Sequence, residues 1–208
     1  MSQHFIPAVI LAGGAARRMG GGDKPLRLIQ NRPILDWIIA RLSPQTHPIA
    51  INANGDPSRF NSYGFDILPD HAPDIGPMAG ILAALEWVAP RDPTVTHVLT
   101  VSGDTPFLPA DLVGSLVKAV SDRPTAMAVA KSAGRIHPAI ALWPVTAREM
   151  IAKALNAEEG RRVESWLGIF DAEIIEWTVV PYDPFFNVNT PADIDDAEKT
   201  ANLIFRPE

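Results

Sequence analysis

The chain has 208 residues, 47% hydrophobic and 20% charged, the composition of a globular protein long enough to bury a sizeable core without a disulfide or metal staple. It contains no cysteine, which excludes thiolate nucleophiles, cysteine-ligated zinc and disulfides. The formal net charge is −6 and the basic pairs are only Arg17-Arg18 and Arg161-Arg162, too little positive charge to neutralise a run of polymer phosphates, so a nucleic-acid partner is not expected.

Ala8–Leu11 reads as a buried strand running straight into glycines. The segment around it lacks the basic start and cleavage site of a secretion signal, and its apolar run falls far short of the ~20 residues a membrane span needs. A cytoplasmic protein without membrane contact is expected. Pro33–Leu42 carries a helical stripe of Ile34, Leu35, Trp37, Ile38, Ile39 and Leu42. Ile49–Asn52 and Phe65–Leu68 are strands, the second ending at Pro69-Asp70. Pro77–Val88 is a helix with Met78, Ile81, Leu82 and Leu85 on one side. Thr96–Ser102 is a strand ending at Gly103-Asp104, and Ala110–Val120 a helix. Ala126–Ala130 and Ile136–Leu142 read as a hairpin-like pair, Thr146–Leu155 as a helix, Arg162–Leu167 as a short helix and Ile174–Val180 as a strand. The last helix opens at Thr190-Pro191-Ala192-Asp193, where Thr190 can cap, proline suits the first position and Asp193 the positive end. The prolines, spread along the chain, punctuate turns.

This alternation predicts an α/β fold: three layers, doubly wound, with a mostly parallel sheet and the hairpin supplying an antiparallel strand. No linker or repeat divides the chain, so residues 1–208 are expected to form a single domain. Ligands in such folds bind at the carboxyl ends of the strands. Three polar strand endings therefore stand out: Leu11-Ala12-Gly13-Gly14, Pro69-Asp70 and Ser102-Gly103-Asp104.

The first of them continues as LAGGAARRMGGGDK. Glycines let a ligand approach the backbone, so that N–H groups can converge on phosphate oxygens, and Arg17, Arg18 and Lys24 add positive charge. This is the chemistry of a triphosphate cradle. It is not a Walker loop, because Lys24 is followed by Pro25 and the G-x-x-x-x-G-K-[ST] spacing is absent. Asp104, at the end of a buried strand, is placed to hold Mg²⁺, which takes oxygen ligands and keeps several waters. Turn formation before Pro106 is the competing use of that carboxylate. Asn52 and Asp70 end neighbouring strands and can read a base or ribose. Asn187 and Asn189 precede the last helix and can reach phosphate or metal-bound water. Local turn chemistry competes at all four positions. His137, before Pro138, reads as a structural histidine. No nucleophile elbow and no zinc-spaced histidine pair occurs, which fits direct phosphoryl-type transfer driven by positioning and electrostatics.

LAGGAARRMGGGDK closely resembles the signature loop of the molybdenum cofactor guanylyltransferases. Asn52-Ala53-Asn54, Gly76-Pro77-Met78-Ala79-Gly80, Gly103-Asp104-Thr105-Pro106, His137-Pro138, Gly160-Arg161-Arg162-Val163 and Asn187-Val188-Asn189-Thr190-Pro191 match in the family's order. The resemblance covers nearly the whole chain. The loop alone is shared with many sugar nucleotidyltransferases, whereas its combination with GRRV and NVNTP is far more specific. The resemblance implies a nucleotide-diphospho-sugar-transferase-like fold and transfer of GMP from GTP to the phosphate of molybdopterin, with Mg²⁺ assisting and pyrophosphate leaving. It implies that Leu11, Ala12 and Gly13 contact the guanine nucleotide, that Lys24 meets its phosphates, that Asn52 and Asp70 bind the nucleoside, and that Asp104 binds metal and nucleotide. Gly14, Arg17, Gly80, Asn187 and Asn189 would shape the active site or the pterin side. Lys24, Asp104 and Arg17 are the catalytic candidates. Cofactor-insertion chaperones or client molybdoenzymes are the further partners implied. Gly103 and Gly22 depart from the family's usual residues, without loss of a charged or metal-binding group.

A CTP-using cytidylyltransferase on the same cofactor is the nearest alternative. Alanine is common there in place of Gly13, and a bare backbone at Gly13 favours the larger purine. A sugar-1-phosphate nucleotidyltransferase and a non-catalytic nucleotide- or cofactor-binding module are the others.

Overall fold

The computed structural model describes residues 6–13, 23–70, 76–155 and 162–204. In chain order the strands are β1 (Ala8–Leu11), β2 (Leu28–Ile29), β3 (Arg32–Pro33), β4 (Ile49–Asn52), β5 (Asp66–Leu68), β6 (His97–Ser102), β7 (Ala128–Ser132), β8 (Arg135–Pro144) and β9 (Glu173–Glu176). The helices are α1 (Ile34–Leu42), α2 (Pro77–Val88), α3 (Leu112–Ala119), α4 (Arg148–Ala154) and α5 (Pro191–Ile204). Among the described residues the main sheet has seven strands in the order β5-β4-β1-β6-β8-β7-β9. Strand β8 runs antiparallel to both its neighbours, and the other pairs are parallel.

Side chains of successive strand residues point to opposite faces, and β1 shows the consequence. Ala8 and Ile10 enter one core with α1, α3 and α5, while Val9 enters a second core with α2 and α4. Helix α1 buries Ile34, Leu35, Ile38 and Leu42, each contributing roughly 1.5–3 kcal/mol by burial. Helix α2 is buried nearly all round, from Met78 to Leu85, as expected of a helix enclosed between a sheet and other elements. The three-layer, doubly wound, mostly parallel architecture is the one expected from the sequence.

The differences lie at element ends. Strand β9 stops at Glu176 rather than Val180; Trp177 still donates its amide to Lys131, but Val180 is 80% exposed. A residue so exposed has no core to hold it in the sheet. The expected helix from Thr146 begins with a 3-10 turn, Val145–Ala147, before α4, and Arg162–Leu167 is a 3-10 turn at Val163–Trp166. Strand β8 reaches both beyond Ile136 and beyond Leu142. It tolerates Pro138 because the β7–β8 register shifts between Val129 and Ala130; such a bulge leaves residues without a ladder partner, which suits a residue with no N–H to give. The β2–β3 hairpin was not anticipated. Its turn places Gln30 and Asn31 at φ 50° and 59°, the signature of a type I′ turn.

His97 opens β6 and is buried, with Nε2 3.0 Å from the Ala126 carbonyl. Burial pushes its pKa below the ordinary value, opposed by that bond. A group whose folded pKa is depressed stabilises the fold fully above its unfolded pKa, about 6.5, and the benefit declines as pH falls through the folded value. Urea midpoints measured from pH 7.5 to 5 are therefore expected to fall with pH. His97→Gln should flatten that slope by up to one proton's worth, about 1.4 kcal/mol per pH unit. An unchanged slope would show that His97 protonates in the folded protein as readily as in the unfolded one.

Candidate active site

The order of strands reverses at β1: the chain builds β4 and β5 to one side of it and β6 to the other. The crevice at the carboxyl ends of β1 and β6 is thus the topological switch point where open α/β sheets bind ligands. Leu11 and Ser102 are register partners there, so Leu11-Ala12-Gly13 and Gly103-Asp104 leave the sheet side by side. Their closeness depends on Gly103. Its amide donates to the Leu11 carbonyl at 2.9 Å, and a Cβ at Gly103 would stand 2.8 Å from that same oxygen and 3.1 Å from Ala12 Cα. Backbone cannot yield as a side chain can, so a side chain here would part the two strand ends.

Pro25 packs at the same point, its Cγ 3.2 Å from where the Gly103 Cβ would be. It is the buried residue of a 3-10 turn, Lys24–Leu26. Its ring fixes φ, and the turn delivers Lys24 to Asp104. Lys24 Nζ donates to Asp104 Oδ2 and to Asn189 Oδ1, each at 2.6 Å. Asp104 Oδ1 accepts from Ser102 Oγ at 2.6 Å and from Asn187 Nδ2 at 3.1 Å. The two charged side chains are only 16% and 13% exposed. Asn187 and Asn189 are held by backbone: the Val188 amide donates to the Asp104 carbonyl at 2.9 Å, and the amides of Asn189 and Thr190 donate to Asp193 Oδ2 at 2.7 and 2.8 Å. With the Asp193 amide pointing back to Thr190 Oγ1 at 3.3 Å, this is a reciprocal capping box on α5. Burial raises the Asp193 pKa, but the amides of Asn189 and Thr190, the Thr190 side chain and the charge of Lys24 outweigh it and hold the carboxyl below its usual range.

A second cluster sits over β4 and β5. Asn52 Nδ2 donates to Asp70 Oδ1 at 2.8 Å and to the Leu68 carbonyl at 3.0 Å. Asn54 Nδ2 donates to Asp70 Oδ2 at 2.6 Å while the Asp70 amide donates to Asn54 Oδ1 at 2.9 Å. Gly13 faces this cluster: a Cβ there would lie 3.6 to 3.8 Å from Asn54 Nδ2, Asn52 Oδ1 and Asp70 Oδ2, ordinary contact distances. Gly80, in the first turns of α2, lies beneath it. A Cβ on Gly80 would come within 2.2 Å of Asn52 Oδ1 and 3.0 Å of Leu11 Cδ2.

The structure thus gathers Lys24, Asp104, Asn187 and Asn189 into one cluster and Asn52 and Asp70 into another, with Leu11, Ala12 and Gly13 leaving the strand between them and Gly80 below. Gly14 and Arg17 lie outside the described residues. Ser102 and Asn54 stand within motifs noted in the sequence, but no role is assigned to either there. Asn54 was legible in principle, since polar residues two apart at a strand end share a side; the hydroxyl of Ser102 carries no such signal. Among the described residues no group of three or more His, Asp or Glu is arranged to hold a metal ion by itself, and no helix is long and apolar enough to cross a membrane.

The family of MobA-like NTP transferase domains matches residues 8–170. A molybdenum cofactor guanylyltransferase of Bradyrhizobium sp. (strain ORS 278) is 48% identical over 199 residues, 95% of this chain and 94% of the relative. The molybdopterin-guanine dinucleotide biosynthesis protein A of Archaeoglobus fulgidus has the same fold, with a TM-score of 0.73 at 20% identity, over 95% of this chain and 100% of that one. A Mycobacterium tuberculosis protein solved as a complex with manganese superposes with a TM-score of 0.68 at 16% identity, over 94% and 99% of the two chains.

Gly80→Ala is expected to displace the Asn52 amide and cost about 1–3 kcal/mol in urea unfolding. Gly114→Ala, in α3 with nothing within 4 Å of its Cβ, is the control and should gain roughly 0.5–1 kcal/mol. Equal effects at the two positions would contradict the close contact at Gly80.

Proposed function

We propose that this chain, which belongs to the molybdenum cofactor guanylyltransferase family, joins GMP from GTP to the phosphate of molybdopterin through the two clusters at its strand ends. The observation that carries the reading is the Lys24–Asp104–Asn189 contact at the switch point, 2.6 Å on each side of the ammonium, beside the Asn52–Asp70 cluster. The whole chain acts as one nucleotidyltransferase domain, working in the cytoplasm.

An ammonium has three protons, and two of Lys24's are in use, which leaves one for a phosphate oxygen. Lys24 is also charge-paired with Asp104, so a triphosphate brought beside it would set its own negative charge against the carboxylate. A divalent cation restores that balance. The donors fit one: a single carboxylate, with amide oxygens nearby, is the sparse hard-oxygen set with which Mg²⁺ binds jointly to protein, substrate phosphates and water. Asp104 would hold it, and when bound it supplies charge neutralisation on the reacting phosphate and the leaving pyrophosphate. Lys24 and Asn189 orient the phosphates, and Arg17 is the further cation assigned to them. The terminal phosphate oxygen of the pterin bonds to the α-phosphorus of GTP as the bond from that phosphorus to the bridging oxygen of pyrophosphate breaks. No proton-transfer group is required, and the residues act by position and charge.

Asp70 serves the base. Each of its oxygens takes one bond from an asparagine, leaving a lone pair on each. Guanine presents two adjacent N–H donors to such a carboxylate, and cytosine does not. Leu11, Ala12 and Gly13 line the approach, with Gly14, Gly80 and Asn187 shaping the cavity. Cofactor-insertion chaperones or client molybdoenzymes would take up the product.

Pyrophosphate release with molybdopterin and Mg²⁺ is expected to be faster with GTP than with CTP; faster turnover of CTP overturns the base assignment. Gly13→Ala, which the fold accommodates, should lower the GTP-over-CTP preference by about tenfold, equivalent to 1.4 kcal/mol. Asp104→Ala should abolish release while circular dichroism stays that of the wild type. Intact GTP binding with no release by either protein would instead mark a binding module. Lys24→Ala should weaken GTP affinity by roughly tenfold or more, the loss of one charge-assisted contact.

A further inference from the structure

Ser132, His137 and Asp183 form a cluster, buried at the serine and half-buried at the other two, to which the reading above gives no role. Ser132 ends β7 and is 0% exposed. Its Oγ lies 2.7 Å from Asp183 Oδ1 and 2.8 Å from His137 Nε2. A hydroxyl has one proton to give, and a carboxylate only accepts. The serine proton therefore points at Asp183, and Ser132 Oγ accepts from His137 Nε2–H. Burial pushes the His137 pKa below its ordinary value, with Asp183 opposing and Arg135 adding to the fall. These are the residue types of a hydrolytic triad in a different order. In a triad the imidazole stands between serine and carboxylate and takes the serine proton. Here the carboxylate accepts the hydrogen bond that the serine donates, and the serine keeps its proton, so Ser132 is a pinned donor rather than a nucleophile.

What it pins is the segment leading into the active site. Asp183 Oδ1 also accepts the Phe185 amide at 3.0 Å. Phe185 is buried, its ring 5.1 Å from that of His137 and edge-on to Trp177 at 5.3 Å. Asn187 then reaches Asp104, the Val188 amide reaches the Asp104 carbonyl, and Asn189 accepts from Lys24. The segment is thus tied to the β7–β8 hairpin at Asp183 and to the capping box of α5 at Asn189. The register shift in that hairpin falls between Val129 and Ala130, opposite His137–Ala141, and bulges are a common means of re-aiming the end of a strand pair toward a site.

We propose that Ser132 is a positioning residue for nucleotidyl transfer: through Asp183 it fixes the segment 183–189, and so the placement of Asn187 and Asn189 against Asp104 and Lys24, with His137 setting the direction of the serine proton. This rests on the assignment of Asp104 as the metal-holding carboxylate. The link is tested in the full-length protein by amide hydrogen exchange, by Mn²⁺ titration with GTP present, followed by electron paramagnetic resonance, and by steady-state rates. In Ser132→Ala, exchange at the amides of 185–189 should accelerate by about tenfold, the Mn²⁺ midpoint should rise several-fold, and kcat should fall with little change in the KM for GTP. Asp183→Ala removes the same link from its other, half-buried side, together with the bond to the Phe185 amide, and should have at least as large an effect. Asp183→Asn keeps an acceptor oxygen for Ser132 and for the Phe185 amide and should restore exchange and metal affinity. Unchanged exchange in both link-breaking variants overturns the proposal. So does a fall in rate with an unmoved Mn²⁺ midpoint, which is what simple loss of folded enzyme produces. A wild type that releases no pyrophosphate overturns the functional reading itself; accelerated exchange in the same variants would then show the link intact and separate the two failures.

Discussion

Lys24 and Asp104 are 80 positions apart and meet at 2.6 Å; most of the site is arranged around that meeting. It requires β1 and β6 to be neighbours, which the doubly wound topology supplies. With the strand ends as close as they are in this chain it depends on Gly103, because a Cβ there would stand 2.8 Å from the Leu11 carbonyl and force a shift. It requires Pro25 to bring the lysine's turn down onto that spot, and Asn187 and Asn189 to close the cluster from the far end of the chain. An ion pair this far from solvent gives little net stability, since the cost of removing both charges from water roughly offsets their attraction. On the proposed function its value is local: it keeps a cation and a carboxylate poised, in a hydrogen-bonded arrangement, where a polyanionic ligand and its metal would exchange partners with them.

The fold was legible wherever a periodic pattern had room to repeat. Helix α2 and strands β1 and β4 follow from runs of apolar residues bounded by proline, glycine or asparagine. The β2–β3 hairpin was not legible, because two-residue strands carry no period and Gln30-Asn31 is not the usual asparagine-glycine turn. Strand β9 was read too long because Ile174–Val180 is rich in β-branched residues, while the exposure of Val179 and Val180 depends on what the sheet edge does not cover.

The site divides in the same way. Strand ends can be found from sequence, and Asn52, Asp70 and Asp104 stand at them. That Lys24 and Asn187 meet Asp104 while Asn189 meets Lys24 follows from no spacing, since Lys24 and Asn189 are 165 positions apart; the family resemblance names all four, and topology explains why they meet. Ser132 and Asp183, 51 positions apart, had neither aid. One lies in a β-hairpin and the other in a loop, and each side chain by itself is ordinary.

Three of the described glycines border the crevice, and their surroundings differ in kind. Gly103 is required by backbone, 2.8 Å from where its Cβ would be, and Gly80 by the Asn52 side chain at 2.2 Å. Both are demands of the folded protein, whatever it binds. Gly13 is different: the nearest atom to its Cβ position is 3.6 Å away, and its backbone is not among the positive-φ glycines, so an alanine would fit without strain. Packing therefore gives no reason for glycine at this position. The space faces two asparagines and the Asp70 carboxylate, groups suited to reading the edge of a base. On the proposed function the constraint at Gly13 comes from the ligand, and of the three it is the position where a change of one methyl group would alter what is bound while leaving the protein's own structure in place.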